Sequence, residues 1–217
     1  MDLHKKDKKH LYKFNGIILN TIDKAYEPED DTFLVIEALN KCLNEMEKSG
    51  IKEIRVLDMG TGTGIIGLFA AKSSVVSKVV LVDKSDDAVA IAKENTALNN
   101  KLKQKCTVIK SDLFENVNGY FEIIAFNAPY LRRDPKEPVH EAEMLSGGDE
   151  GVELSLEFLK EAKSHLTPNG AVVLSASSFG NLEKLLKQAN NYGYVLKAKI
   201  AKHVFFEDII AFTFTLE

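Results

Sequence analysis

The sequence predicts an α/β protein: one doubly wound, mostly parallel sheet of seven strands, closed by an antiparallel hairpin at its C-terminal end. Two observations carry that prediction. Short continuous apolar runs alternate with stretches of helical periodicity, the pattern of parallel strands covered on both faces. The tail then abandons the alternation, because "NYGYVLKAKIAKHVFFEDIIAFTFTLE" holds two strands with little between them.

"DDTFLVIEALNKCLNEME" is the first predicted helix: Phe33, Ile36, Ala38, Leu39 and Leu43 recur at helical spacing, and Asp31 or Thr32 can cap its start. "IRVLDMG" follows as a short buried strand and "TGIIGLFAAKSS" as the helix it feeds. "KVVLVDKS" and "DDAVAIAKENTALNN" repeat strand and helix. "CTVIKSD", "FEIIAFN" and "GAVVLSAS" are three further strands, the last of them preceded by a helix around "VELSLEFLKEAKSHL". Residues 1–25 read as a basic, flexible N-terminal segment, with Lys5, Lys6, Lys8 and Lys9 as a solubilising run, and residues 26–217 as a single domain.

Composition narrows the function classes. A chain of 217 residues with 45% hydrophobic content can bury a full core. Its net charge of −4 provides no general basic surface for a nucleic-acid backbone, so polyanionic partners are disfavoured. Cys42 and Cys106 each stand alone, which suits reduced thiols in a cytoplasmic protein and offers neither a disulfide framework nor a thiolate zinc site. No segment has the length and apolarity of a signal or membrane span. His4 and His10 fall in the N-terminal segment and His140 in a long polar loop, so no metal site is expected.

Open sheets of this kind bind ligands at the carboxyl ends of their strands. The first strand ends in "LDMGTGTGIIG", where Gly60, Gly62 and Gly64 allow close backbone approach to a ligand and turn dihedrals closed to larger residues. Asp83 ends the second strand, where a carboxylate can accept from both hydroxyls of a ribose; a helix cap or a surface acid is the plainer role for it. Asp112 ends the third strand and can receive the exocyclic amine of an adenine, with Leu113 as an apolar wall. The glycine spacing departs from the dinucleotide fingerprint, and Asp58 would repel a pyrophosphate but hold the ammonium of an amino-acid moiety. No lysine follows the glycines as a phosphate-binding loop requires. The cofactor that carries both a ribose and an amino-acid ammonium is S-adenosyl-L-methionine, with S-adenosyl-L-homocysteine as its product.

The stretches "YEPEDDTFLVIEAL", "VLDMGTGTGIIG", "NAPY" and "LSGGDEGVEL" resemble the class I methyltransferases, with their Rossmann-like fold, and among them the HemK-type protein-glutamine methyltransferases, in particular the short archaeal and eukaryotic branch. The resemblance implies that Thr32 contacts the cofactor, that Asp58 and Gly60 serve its methionine side, Asp83 and Lys84 its ribose region, and Asp112 and Leu113 its adenine. It implies that Asn127 is shared between cofactor and substrate. The family tetrapeptide is asparagine, two prolines and tyrosine, so Ala128 departs from it. The implied substrate is the glutamine of the Gly-Gly-Gln loop in a translation release factor, with lysine as a second candidate, and the implied partner is a small zinc-binding activator subunit.

On this reading "FNAPYLRR" combines chemistry with a strand exit. Asn127 accepts one hydrogen of a planar amide through its side-chain oxygen and the carbonyl of residue 128 accepts the other, while Tyr130 packs against the amide and excludes water. Ala128 keeps the backbone acceptor and loses the fixed φ of proline and some rigidity in the loop. "LRRDPKEPVHEAEMLSGGDEG" is long for a connection and reads as the substrate-recognition loop, with Gly147, Gly148 and Gly151 as its hinge and Arg132 and Arg133 able to meet an acidic feature. Two other classes stay open: a methyltransferase acting on amino groups of RNA or DNA bases, and a non-catalytic protein that keeps the cofactor pocket.

Overall fold

A phenylalanine, an asparagine, a glycine and an isoleucine at residues 14–17 make the first turn of the chain. In the computed structural model, which describes residues 10–22, 27–133 and 145–217, His10–Phe14 (β1) and Ile17–Thr21 (β2) pair as an antiparallel hairpin. Asn15 and Gly16 have φ of 47° and 79°, the left-handed pair that a tight hairpin turn requires. Residues 10–21 are therefore ordered as a hairpin, in place of the flexible segment expected there, and Ile17 and Leu19 are fully buried. The lysine run and His4 lie outside the described residues, as do Tyr26 and His140.

Helix α1 spans Asp30–Lys48 and buries Leu34, Val35, Ile36, Ala38, Leu39, Cys42 and Leu43. β3 (Ile54–Met59), α2 (Ile65–Ala71), β4 (Val76–Asp83), α3 (Asp86–Leu98), β5 (Cys106–Lys110) and β6 (Phe121–Phe126) follow the predicted alternation. Leu131–Arg132 (β7) and Ser146–Gly148 (β8) form a small parallel pair at either end of residues 134–144, which lie outside the described residues. Then come α4 (Glu153–Ala162), β9 (Leu166–Ser177), α5 (Leu182–Asn191), β10 (Tyr194–Val204) and β11 (Glu207–Leu216).

The main sheet has seven strands in the order β10-β11-β9-β6-β3-β4-β5, with β9, β6, β3, β4 and β5 parallel and β11 antiparallel to both of its neighbours, β9 and β10. Alternate side chains of each strand enter two cores. Val56, Leu81, Ile123 and Val173 meet α1 and α2 on one face; Leu57, Val82, Ile124 and Leu174 meet α4 and α5 on the other. At the amino ends of β3 and β6, the Arg55 guanidinium binds both oxygens of Glu122 at 3.2 and 2.9 Å, which pins the register of that pair. From β3 the chain moves outward to β4 and β5, then returns to β6 on the other side of β3, so the switch point lies beside β3.

The N-terminal hairpin is held by two asparagines. The Asn99 side chain accepts from Ile18 N and donates to Ile18 O at 3.1 and 2.7 Å, and Asn95 does the same for Asn20 at 2.7 and 3.0 Å. An amide side chain has the donor and acceptor of a peptide group, so the edge of β2 is satisfied as if by another strand. Burial pushes the thiols of Cys42 and Cys106 up to about 11, so both remain protonated and unreactive near neutral pH.

Among the described residues no helix is long and apolar enough to cross a membrane.

Candidate active site

Register brings the predicted residues together. Met59 is level with Val82 on β4 and Phe126 on β6, and Asp83 is level with Lys110 on β5. The chain leaves these neighbouring strands as Gly60, Lys84, Asn127 and Ser111, and their exits surround a cavity of about 490 Å³. That volume lies within the range of small-molecule sites, about 300 to 1,000 Å³. Thr32, Gly60, Gly62, Asp83, Lys84, Asp112, Leu113, Asn127, Ala128 and Tyr130 all line it. Asp58 and Gly64 do not.

The glycine turn explains the exceptions. Gly60 has φ of 59°, and a Cβ there would come within 2.8 Å of the Phe126 ring, so the turn lies flat against the next strand. Gly64, at the N-cap of α2 with φ of 88°, packs on Leu81 beneath the turn. Asp58 is fully buried under it. Its Oδ2 accepts from Thr61 Oγ1 at 2.6 Å and from Gly67 N at 2.8 Å, while its Oδ1 is buried with no partner. Burial pushes this carboxyl up to about 7, against the opposing bonds from Thr61 and Gly67.

Asp83 faces the cavity with both oxygens already oriented: Oδ2 accepts from Gly62 N at 2.9 Å and Oδ1 from Ser85 N at 3.0 Å. Burial raises its pKa, and the two N–H groups oppose that rise. Each oxygen keeps a lone pair for a ligand hydroxyl. Asp112 and Lys84 are exposed at the rim, and Leu113 adopts a left-handed φ of 38° that turns the chain around the cavity wall.

Asn127 is held from α1. Its Nδ2 donates to Asp31 Oδ2 and to Thr32 Oγ1, both at 3.2 Å, and its Oδ1 is buried without a partner. The acceptors opposite fix which end of the amide is which, since a flipped amide would set oxygen against carboxylate. The Tyr130 hydroxyl donates to the same Asp31 oxygen at 3.3 Å. Burial, reinforced by Asp31 and Glu207, raises the tyrosine pKa and keeps the hydroxyl protonated. The Ala128 carbonyl accepts from Ser175 Oγ at 3.2 Å, which occupies one lone pair and leaves the other.

Asp31, Ser175 and Glu207 are the participants that sequence reasoning missed. Asp31 was expected at most as a cap; Glu29 takes that place, with its backbone N–H on Thr32 Oγ1 at 3.4 Å, and the Asp31 carboxylate turns to Asn127. The glycines expected as a loop hinge are close-packed instead. A Cβ on Gly151 would lie 2.4 Å from Tyr130 O, and one on Gly147 2.6 Å from Pro129 O, so this backbone buttresses "NAPY". Arg132 and Arg133 lie outside the cavity lining, and Arg132 Nε donates to Phe179 O at 2.9 Å.

The chain matches known proteins in sequence and in fold. Residues 36–204 match the methyltransferase small domain. A Methanocaldococcus jannaschii protein, provisionally named a protein N5-glutamine methyltransferase, is 32% identical over 92% of this chain and 96% of its own length. The release factor glutamine methyltransferase of Shewanella oneidensis is 34% identical over 79% of this chain, which spans 59% of that longer protein. Among solved structures, a chain of the E. cuniculi Mtq2–Trm112 complex, described as responsible for methylating the eRF1 termination factor, has a TM-score of 0.65 at 20% identity, over 89% of this chain and 99% of that one. That last likeness is one of fold. A strand-end cavity, a glycine turn and an anchored asparagine thus occur in a chain whose sequence matches one family over most of its length: the protein belongs to the methyltransferase small domain family.

Proposed function

We propose that the protein transfers the methyl group of S-adenosyl-L-methionine to the side-chain nitrogen of the glutamine in the Gly-Gly-Gln loop of a translation release factor. The observation that carries this reading is the Asn127 amide, pinned through its nitrogen by Asp31 and Thr32 while its oxygen has no partner in the protein. The names of the relatives from Methanocaldococcus jannaschii and Shewanella oneidensis support the choice of glutamine.

The residues present fit the cofactor. Asp83 offers two pre-oriented oxygens to a ribose, Asp112 and Leu113 lie where an adenine would rest, and Gly60 leaves the turn without a side chain. Asp58 acts from beneath: when ionised, its buried carboxylate, with Oδ1 unpartnered, adds negative potential under the turn, where the ammonium of the methionine moiety would lie. When bound, the cofactor supplies an electrophilic methyl on a sulfonium and leaves as S-adenosyl-L-homocysteine.

A carboxamide nitrogen is a weak nucleophile because its lone pair is delocalised into the carbonyl. Asn127 Oδ1 accepts one N–H of the substrate amide, and the remaining lone pair of the Ala128 carbonyl accepts the other. Both acceptors stabilise the positive charge the nitrogen gains, and the surplus proton leaves afterwards to water. The Tyr130 ring covers the amide and excludes water from the reacting atoms. No side chain is required as a general base.

A small activator subunit is part of the same proposal, supported by the Mtq2–Trm112 complex; the sheet offers β5 and β10 as its two edges. The test of the function is transfer of labelled methyl to purified release factor, to its glutamine-to-alanine variant and to total RNA and DNA, with and without that subunit. Label in the unaltered factor alone is the expected result. Equal label in the alanine variant, or label only in nucleic acid, would overturn the reading.

A further inference from the structure

Phe205 and Phe206 make the turn between β10 and β11, and at 88% and 89% exposure they are the most exposed large apolar side chains among the described residues. Phe205 adopts φ of 53°, a left-handed backbone that tight hairpin turns ordinarily give to glycine or asparagine. The β1–β2 turn of this same chain follows that rule with Asn15 and Gly16. At residue 205 the rule is broken, and the rings of Phe205 and Phe206 stand in water with no burial gained inside the protein.

The turn stands at the cavity. Glu207, the next residue, is part of the cavity wall and accepts a hydrogen bond from Ser177 Oγ. Asp208 is tied to the carboxyl end of β9: its N–H donates to Ser178 Oγ at 2.9 Å, and Ser178 N donates to its carbonyl at 2.9 Å. That joint places residue 179 beside the turn, and Phe179 is itself 48% exposed. The three phenylalanines are thus carried on strand ends that are bonded to one another.

We propose that Phe205 and Phe206, with Phe179 beside them, form a docking ridge that grips an apolar patch on the protein substrate whose side-chain amide enters the cavity. This rests on the proposed function above. Continuity with the cavity names the occupant, because a macromolecule presenting a residue to Asn127 passes the wall that Glu207 belongs to. Charge at the cavity argues against a polyanion, since Glu29, Asp31, Asp83, Asp112 and Glu207 line it against Lys84, while Asp30 and Asp208 are paired with Lys202 and His203. A few aromatic anchors commonly supply most of the binding energy of a protein interface. A ridge outside the cavity serves the whole folded substrate and is beyond the reach of a short peptide.

The test is a Phe205→Ser, Phe206→Ser double variant, assayed with purified release factor and with a short peptide containing its Gly-Gly-Gln sequence. The expected result is a fall of about tenfold or more in kcat/KM for the whole factor, mainly in KM. Transfer to the peptide, cofactor affinity and melting temperature should be unchanged. An equal fall for both substrates, or no fall for either, overturns the ridge. A dimer of the unaltered protein that the double variant abolishes, with transfer to the factor unchanged, assigns the turn to a second copy and also overturns it. Should the unaltered protein, with the proposed activator subunit present, label neither factor nor peptide, the glutamine reading fails by itself. The ridge is then judged with total soluble protein, intact and after tryptic digestion: selective loss of label from the intact proteins in the double variant supports it, and equal label overturns it.

Discussion

Asp31 Oδ2 accepts a hydrogen bond from Asn127 Nδ2 at 3.2 Å, across 96 residues of sequence, and so turns the asparagine oxygen away from α1. The same oxygen receives the Tyr130 hydroxyl. One buried carboxylate thereby sets both side chains of the "NAPY" stretch.

Replacing Asp31 with alanine should lower kcat roughly 10- to 100-fold, as expected for loss of a charged hydrogen bond worth about 1.5–3 kcal/mol. Cofactor affinity, read by calorimetry, should stay near that of the unaltered protein. Asp31→Asn keeps an acceptor and should retain part of the rate. Parallel losses in kcat and in cofactor affinity would show that Asp31 merely supports the fold.

Asn127→Ala removes the acceptor itself. By analogy with an oxyanion-hole donor, that change should slow single-turnover methyl transfer about a hundredfold or more. Its melting temperature should fall modestly, because the bonds from Asn127 Nδ2 to Asp31 and Thr32 are lost with the amide, while circular dichroism should show the fold intact.

Asp83→Ala should weaken binding of S-adenosyl-L-methionine by about 1 to 3 kcal/mol through lost charged hydrogen bonds. The same carboxylate also receives Gly62 N and Ser85 N, so hydrogen exchange at those two amides should accelerate in the variant. Unchanged affinity by calorimetry would remove Asp83 from the cofactor site.

Asp58 provides a pH test. Its folded pKa, about 7, is raised from 3.8 by burial, so the folded protein retains a proton that the unfolded chain releases. This contribution to stability is fully present below pH 3.8 and is lost as pH rises through about 7. Melting temperatures of the ligand-free protein measured across that window should show a decline that Asp58→Asn flattens. Cofactor affinity should run the opposite way, strengthening as Asp58 ionises, and the same variant should abolish that trend. An identical pH profile in the two proteins would place the ionisation elsewhere.

Ala128 is held through its carbonyl, which Ser175 Oγ binds, and its side chain is packed in the core. Ala128→Pro should therefore change the transfer rate little, whereas Ser175→Ala frees the carbonyl and should slow transfer severalfold, in line with a neutral hydrogen bond worth about 1 kcal/mol. A large gain from the proline would mean that the carbonyl alone does not order the loop.

Sequence alone determined the seven strands and their order of helices, the glycine turn, and the placement of Asp83, Asp112, Asn127 and Tyr130 at strand ends, because periodicity and turn chemistry are local properties of neighbouring residues. The Asn15-Gly16 turn was equally legible, but a lysine-rich start disguised it, and what secures the hairpin lies on Asn95 and Asn99, 75 and 81 residues away from the backbone they hold. Tertiary structure decided the rest. Asp58 could be placed at the end of a strand, yet whether its carboxylate entered the cavity or the space beneath the turn depended on how α2 packs over it. Asp31 and Ser175 read as a cap and an ordinary strand residue until the fold carries them across 96 and 47 residues to Asn127 and Ala128. A hydrogen bond depends on distance in space, and spacing along the chain carries that information only within a turn, a helix or a strand pair.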